Sequence, residues 1–296
     1  MNNKLKNYKI LNDYLIQIKK EFPEITWKNT KLITDGCDNN VIVLDSSLVF
    51  RFPKKSDTLK KLKSEITILN TLNKIISLNI PQIIYLPKKQ NFIGYHIVNG
   101  TPIPPQKILK ILSKNQIINF KKELVSFLRE LHSKQSEKTL KKLFTNQTKT
   151  NPFDKLKSDA VKYLFPILNE DDTDLINNFL LEYKNILSDK TKKTITHGDL
   201  SWEHLLFNKK KALNGIIDFS DVIYDDPAID FSPLWGYDEK FIKSVCKQYD
   251  QENYKEIYSR SKIYYKKIAI VLMIESLKGG KFNFEGSYKM FVERFY

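Results

Sequence analysis

The stretch His197-Gly198-Asp199-Leu200-Ser201-Trp202-Glu203-His204-Leu205-Leu206-Phe207, followed by Leu213-Asn214-Gly215-Ile216-Ile217-Asp218-Phe219, decides how this chain is read. Two short apolar runs flank a polar turn at Asn208–Lys211, the pattern of a tight antiparallel hairpin. Asp199 sits in the loop ahead of it, directly after a glycine, where a carboxylate can reach an incoming group. His204 begins the first strand and Asp218 ends the second, so antiparallel pairing returns both to one edge. One loop and one hairpin therefore gather a base and two potential metal ligands around a point. An acid ending an apolar strand is costly to bury unless it has a task or a partner. Phosphoryl transfer asks for such a set: a carboxylate to orient a hydroxyl, metal on the phosphates, and a cation for the rest.

Toward the N-terminus, the segments Lys31–Ile33, Val41–Leu44 and Leu48–Phe52 read as strands, separated by the turn-forming runs Gly36–Asn40 and Asp45–Ser47. Leu59, Leu62, Ile66, Leu69 and Leu72 recur at helical spacing. Ile83–Leu86 and Phe92–Ile97 add two more strands, giving an antiparallel sheet with one packed helix. The stretch Asn99-Gly100-Thr101-Pro102-Ile103-Pro104-Pro105 breaks regular structure and reads as a connection between lobes. Beyond it helices are expected over Ile117–Leu131, 172–187, 238–249 and 253–277, with 134–150 as a mobile surface connection. The organisation expected is α+β and two-lobed, with residues 1–98 as a small N-terminal lobe and 99–296 as a larger, mainly helical one.

The totals narrow the class further. The chain has 296 residues, 41% of them hydrophobic, enough to build one large domain or two lobes. No apolar run approaches the roughly 18–20 residues that span a bilayer. The start Met1-Asn2-Asn3-Lys4 lacks the apolar core of a signal peptide. A cytoplasmic protein without a membrane role is expected. Cys37 and Cys246 offer neither a disulfide framework nor a metal-ligand spacing. The formal charge of +15 comes mostly from lysines scattered over helix faces and reads as solvated surface, not a nucleic-acid footprint.

His197–Phe207 resembles the catalytic loop of the aminoglycoside phosphotransferases, within the protein-kinase-like superfamily, and Ile216–Asp221 is similar to their metal-binding segment. The run Asp225-Asp226-Pro227-Ala228-Ile229-Asp230-Phe231 follows at the family's distance. Leu48–Lys54 resembles the strand carrying the nucleotide-phosphate cation, Ser64-Glu65-Ile66 the helix whose glutamate pairs with it, and Phe92–Gly100 the interlobe hinge. Phe127–Ser133 resembles a further helix end of the family. The resemblance covers roughly residues 30–250 and is nearest the 2''-phosphotransferase branch, whose members tend to show Asp-Leu-Ser, here Asp199-Leu200-Ser201, followed by a histidine at the hairpin start, here His204; macrolide kinases often share that histidine. Arg51, where aminoglycoside kinases usually carry lysine, is a macrolide-kinase-like feature that keeps charge but changes geometry.

The resemblance implies a nucleotide held between the lobes and a set of roles. Asp199 is implied as catalytic base, and His204 and Asp218 as ligands of Mg²⁺. Arg51 is implied on the nucleotide phosphates with Glu65 as its partner, and backbone near His96 and Val98 at the base of ATP or GTP. His197 and Asp230 are implied as supports of the loop. The acceptor implied is a hydroxyl of an aminoglycoside, a polycation whose pocket must be locally acidic; Asp221, Asp238 and Glu239 are the candidates, with Asp225, Glu275 and Glu285 further off. Lys266, Lys267 and Lys278 would oppose such an acceptor if they faced it. A macrolide hydroxyl, a metabolic alcohol such as choline, homoserine or a sugar, and an inactive kinase-like binding module are the alternatives. A monomer is expected.

Overall fold

The computed structural model describes residues 3–34, 36, 38–144, 151–188 and 191–296. In chain order the elements are α1 (Asn3–Glu21), β1 (Thr30–Ile33), β2 (Asn39–Leu44), β3 (Leu48–Pro53), α2 (Ser56–Leu72), β4 (Ile83–Tyr85), β5 (Ile93–His96) and β6 (Thr101–Pro102). Then come α3 (Pro105–Ile111), α4 (Lys114–Leu131), α5 (Lys134–Leu140), α6 (Pro152–Asp159), α7 (Glu170–Ser188), β7 (Thr194–Thr196), β8 (Leu205–Phe207), β9 (Leu213–Ile216) and β10 (Ile223–Asp225). The chain ends with α8 (Ala228–Phe231), α9 (Glu239–Tyr249), α10 (Tyr254–Leu277) and α11 (Phe284–Phe295). By packing it divides into two compact units, Met1–Ile103 with Glu203–Val222, and Pro104–Trp202 with Ile223–Tyr296. The sequence places a single break after residue 98; the packing groups the hairpin β8–β9 with the first hundred residues.

The first unit is built on a five-stranded antiparallel sheet in the order β1-β2-β3-β5-β4. Alternation along β3 sorts its side chains. Phe50 and Phe52 join Ile18, Ile42, Leu44 and Phe92 on one face, with Leu11, Tyr14 and Leu15 of α1 packed against them. Val49 faces the other side, with Ile93, Tyr95 and the α2 residues Leu62 and Ile66. Two helices thus cover the sheet, where the sequence reading supplied only α2. Ile10, Leu11, Tyr14, Leu15 and Ile18 carry the helical spacing that marks α1. Each large side chain fully buried here contributes about 1.5–3 kcal/mol relative to exposure. The turn joining β2 to β3 puts Asp45 and Ser46 at φ 46° and 53°, the left-handed geometry that matches the twist of paired strands.

A second, three-stranded sheet, β6-β8-β9, completes this unit. Leu205 lies opposite Ile216, so the hairpin expected from the sequence is present, with a register shift that sets Phe207 opposite Leu213.

Among its described residues, the second unit has helices and one strand pair, β7–β10. Its central element is α10, which packs against α7, α8, α9 and α11. Helix α4 begins with a reciprocal capping box, Ser113 Oγ accepting from the Gln116 N–H and Gln116 Oε1 from the Ser113 N–H. The stretch read as a mobile connection is partly ordered: residues 134–140 form α5, whose start Ser133 caps through the Ser136 N–H, and 141–144 continue as a 3-10 turn. Its remainder, 145–150, lies outside the described residues, as does Cys37. Cys246 is fully buried, and burial pushes its thiol up to about 12, which makes it a core residue. No helix among the described residues is long and apolar enough to cross a membrane.

Gly94 tests the packing of the first unit. A Cβ there would sit 2.9 Å from Tyr85 Cβ and collide with the Phe50 ring. Gly94→Ala is expected to cost about 1–3 kcal/mol through overpacking, read as a lowered midpoint in denaturant unfolding; an unchanged midpoint would contradict this packing.

Candidate active site

In the first unit, Arg51 leaves the central strand β3 on the face that α2 covers, and it is only 6% exposed. Its Nη1 donates to Glu65 Oε1 at 2.5 Å, and its Nη2 lies 3.4 Å from Asp218 Oδ1. Glu65 belongs to the buried face of α2, where an apolar residue would otherwise sit. The pair is sealed in, but Asp218 is not: its side chain is 41% exposed. Burial raises the Glu65 carboxyl above the usual glutamate value, against the pull of Arg51; burial also opposes the Arg51 charge, but Glu65 and Asp218 beside it hold its pKa above the usual arginine value. Burial also raises the nearby Tyr95 phenol to about 12, so it is protonated at neutral pH.

Asp218 adopts φ 66°, a left-handed conformation that aspartate and asparagine tolerate better than most residues. The Ile217 N–H donates to the His204 carbonyl, tying the end of β9 to the start of β8. His204 Nε2 consequently lies 3.7 Å from Asp218 Oδ2. Ser220 Oγ donates to Asp218 Oδ1 at 2.8 Å and fixes the carboxylate's rotation. Arg51, Glu65, His204 and Asp218, drawn from four separate segments, are therefore brought together.

Among the described residues no group of three His, Cys, Asp or Glu forms a ready metal cage. Two donors, one carboxylate and one imidazole, fit an ion that takes its remaining ligands from phosphate oxygens and water, the habit of Mg²⁺ at nucleotide sites. The imidazole is the less usual partner for a hard cation.

His96 ends β5 opposite Leu48, exposed, while Arg51 lies opposite Ile93. That register sets His96 roughly 10 Å along the strand from Arg51's partner. His96 and Val98 line a hollow of about 200 Å³ with Asn79, Gln82 and Asn214. Asp221 pairs with Lys61 of α2 at 3.0 Å, and the same ammonium reaches Asp38 at 3.2 Å. Lys61 and Ser220 were not singled out from the sequence. Ser220, between two aspartates, was readable there; Lys61, one of many lysines, was not.

In the second unit the strand β7 is buried and leads into His197, which is also fully buried. Asp230, in α8, accepts the His197 N–H at 2.8 Å through Oδ2 and the Gly198 N–H at 2.9 Å through Oδ1. Gly198 turns the chain at φ 83°, and Asp199 follows, exposed. Asp226 plays a different part: it accepts from Arg260 at 2.8 Å and 3.3 Å and from the Ala228 N–H, anchoring α8 to α10.

The acceptor candidates in this unit are placed apart from that loop's own bonds. Asp238 caps α9 by accepting the Phe241 N–H, and Glu239 accepts the Tyr258 hydroxyl at 2.7 Å. Both are exposed. Glu275 is paired with Lys278, which also reaches Asp159 at 2.8 Å. Lys266 lies over the Phe295 ring, and Lys267 over Tyr183, where burial lowers its pKa. The three lysines that could oppose a cationic acceptor thus have neighbours of their own.

The chain belongs to the phosphotransferase enzyme family, whose family model matches residues 29–260. Among solved structures, it is similar to the GDP and kanamycin complex of APH(2")-IIIa, at 24% identity and TM-score 0.86 over 95% of this chain and 98% of that one. It is also similar to the streptomycin–ATP–APH(2")-IIa ternary complex, at 20% identity and TM-score 0.73 over 95% of each chain. A macrolide 2'-phosphotransferase type I matches at 16% identity and TM-score 0.69, over 96% of this chain and 95% of that one. These likenesses establish the kinase-like α+β fold.

The buried ion pair yields a stability test. Glu65→Ala leaves the Arg51 charge buried without its nearest partner, and breaking such a pair costs roughly 3–5 kcal/mol. Chemical denaturation should show that loss; a cost under about 1 kcal/mol, typical of an exposed pair, would mean that Arg51 is not buried as described.

Proposed function

We propose that the protein transfers the γ-phosphate of ATP or GTP to a hydroxyl of an aminoglycoside, with Asp199 as base and with Asp218 and His204 holding Mg²⁺. The observation that carries this reading is the convergence of His204 and Asp218 beside a buried arginine, in a chain of the phosphotransferase enzyme family. Bound there, Mg²⁺ would neutralise charge on the nucleotide phosphates.

The chain's own groups divide the remaining work. Arg51 presents a planar fork suited to phosphate oxygens, and Glu65 fixes its direction so that little freedom is lost on binding. Backbone near His96 and Val98 receives the base. Asp199, exposed on a loop whose backbone is pinned by Asp230, orients the acceptor hydroxyl and takes its proton as the new O–P bond forms. The β–γ bridging oxygen leaves with the nucleoside diphosphate. Asp221, Asp238 and Glu239 supply negative charge toward a polyamine acceptor.

Two similar proteins are described as complexes with kanamycin and streptomycin, which supports an aminoglycoside acceptor. Arg51 favours a macrolide hydroxyl as the second reading, together with the likeness to a macrolide 2'-phosphotransferase.

The test is a panel of aminoglycosides, macrolides and small amino alcohols with ATP or GTP and Mg²⁺. Aminoglycosides should be phosphorylated. Asp199→Asn should lower kcat by about 10²–10⁴-fold, the range of a lost general base, and Asp218→Asn should raise the Mg²⁺ requirement while keeping the left-handed backbone. Turnover confined to metabolites would overturn the acceptor, and an undiminished Asp199→Asn rate would overturn the base.

A further inference from the structure

Helix α2 reaches the hairpin edge that carries Asp218 by two routes. Glu65 does so through Arg51, whose Nη2 lies 3.4 Å from Asp218 Oδ1. Lys61 stands one helical turn earlier, and its ammonium lies 3.0 Å from Asp221 Oδ1 and 3.2 Å from Asp38 Oδ2. Asp221 Oδ2 is in turn 3.5 Å from the hydroxyl of Ser220, the group that donates to Asp218 Oδ1 at 2.8 Å. A path of polar contacts therefore runs from Lys61 through Asp221 and Ser220 to Asp218. All of these groups belong to the first unit.

Asp38 is the far anchor of this arrangement. It directly precedes β2, and its carbonyl accepts the Lys54 N–H at 2.9 Å. Lys54 Nζ donates to the carbonyls of Thr34 and Gly36 at 2.5 Å and 2.6 Å. The backbone on which Asp38 sits is thus tied to the end of β3, and its carboxylate holds one side of the Lys61 ammonium. Burial opposes the Lys61 charge, but Asp221 and Asp38 hold its pKa above the usual lysine value, so it stays cationic. Half-exposed ion pairs such as these add little stability. What two carboxylates on one ammonium do fix is position.

The position matters because Ser220 has one proton and two carboxylates near it. Asp218 receives that proton while Lys61 holds Asp221 back at 3.5 Å. Without the ammonium, Asp221 can turn and compete for the hydroxyl, and Asp218 loses the bond that sets its rotation. We propose that Lys61 is a positioning residue of the nucleotide site, holding Asp221 away from Ser220 so that Ser220 keeps the Asp218 carboxylate turned toward a phosphate-bound divalent ion. The inference rests on the reading of Asp218 as a metal ligand.

Loss of a group that orients a metal ligand lowers metal affinity by about 10–100-fold. Lys61→Met keeps the length of the side chain and removes its charge. In the presence of a non-hydrolysable ATP or GTP analogue, its Mn²⁺ affinity should fall by about tenfold, the low end of that range, measured by counting free Mn²⁺ through its paramagnetic resonance. Nucleotide affinity without metal should change less than about twofold. Lys61→Arg should restore most of the Mn²⁺ affinity. Ser220→Ala should lose about as much as Lys61→Met, and the double variant no more than the larger single loss, because both act on one bond.

Wild-type Mn²⁺ affinity in Lys61→Met would overturn the proposal. So would an equal loss of nucleotide affinity without metal, which would make Lys61 a direct phosphate ligand, or losses in Lys61→Met and Ser220→Ala that simply add. Asp218→Asn measured alongside separates this inference from the reading beneath it. Unchanged Mn²⁺ affinity in Asp218→Asn sinks the metal-ligand assignment and this proposal with it, whereas a large loss there beside an unaffected Lys61→Met sinks this proposal alone.

Discussion

A carboxylate with no access to water must be surrounded by donors, and that requirement at Asp230 shapes the second unit. Asp230 is fully buried and receives N–H groups from His197 and Gly198. Meeting the demand fixes the backbone two residues before Asp199, which can then stay exposed and still be aimed. The Asp226–Arg260 pair holds the helix bearing Asp230, and Tyr264 adds its hydroxyl to the same carboxylate. Buried charge here serves geometry, at a desolvation cost that only complete pairing offsets.

The first unit solves a related problem along a gradient of exposure. Glu65 and Arg51 lie in the core, while Asp218 stands at its edge, within reach of the same guanidinium. A cation fixed at one end by a sealed carboxylate is directed toward the open end without freedom to wander. The strained backbone at Asp218 and the Ser220 hydrogen bond add a second constraint on the exposed carboxylate. In both units, buried polar groups thus lie beside or brace the backbone next to an exposed carboxylate.

Much of this was legible in the amino-acid order. The hairpin followed from two apolar runs around a polar turn, whereas the register shift at Phe207 had no local signal. Arg51 and Glu65 were paired by resemblance to a known family, and both are buried. Helix α1 was missed although its spacing was present, and the polar composition of 134–144 concealed a capped helix whose stability comes from tertiary contacts. The acceptor carboxylates were the least readable. Asp238 and Glu239 follow one another in sequence, yet one caps a helix and the other meets a tyrosine from α10, and nothing local reports such partners. The His132–Asp230 contact spans 98 residues and was equally out of reach.

The proposed function requires a divalent ion, which Asp218 and His204 of the hairpin would hold through one oxygen and one nitrogen donor. Electron spin-echo spectroscopy of the protein with Mn²⁺ and a non-hydrolysable nucleotide reads this directly. It should show nitrogen coupling from a single imidazole, lost in His204→Asn while the ion is still bound. A spectrum without imidazole coupling, or one unchanged by that substitution, would contradict the site described.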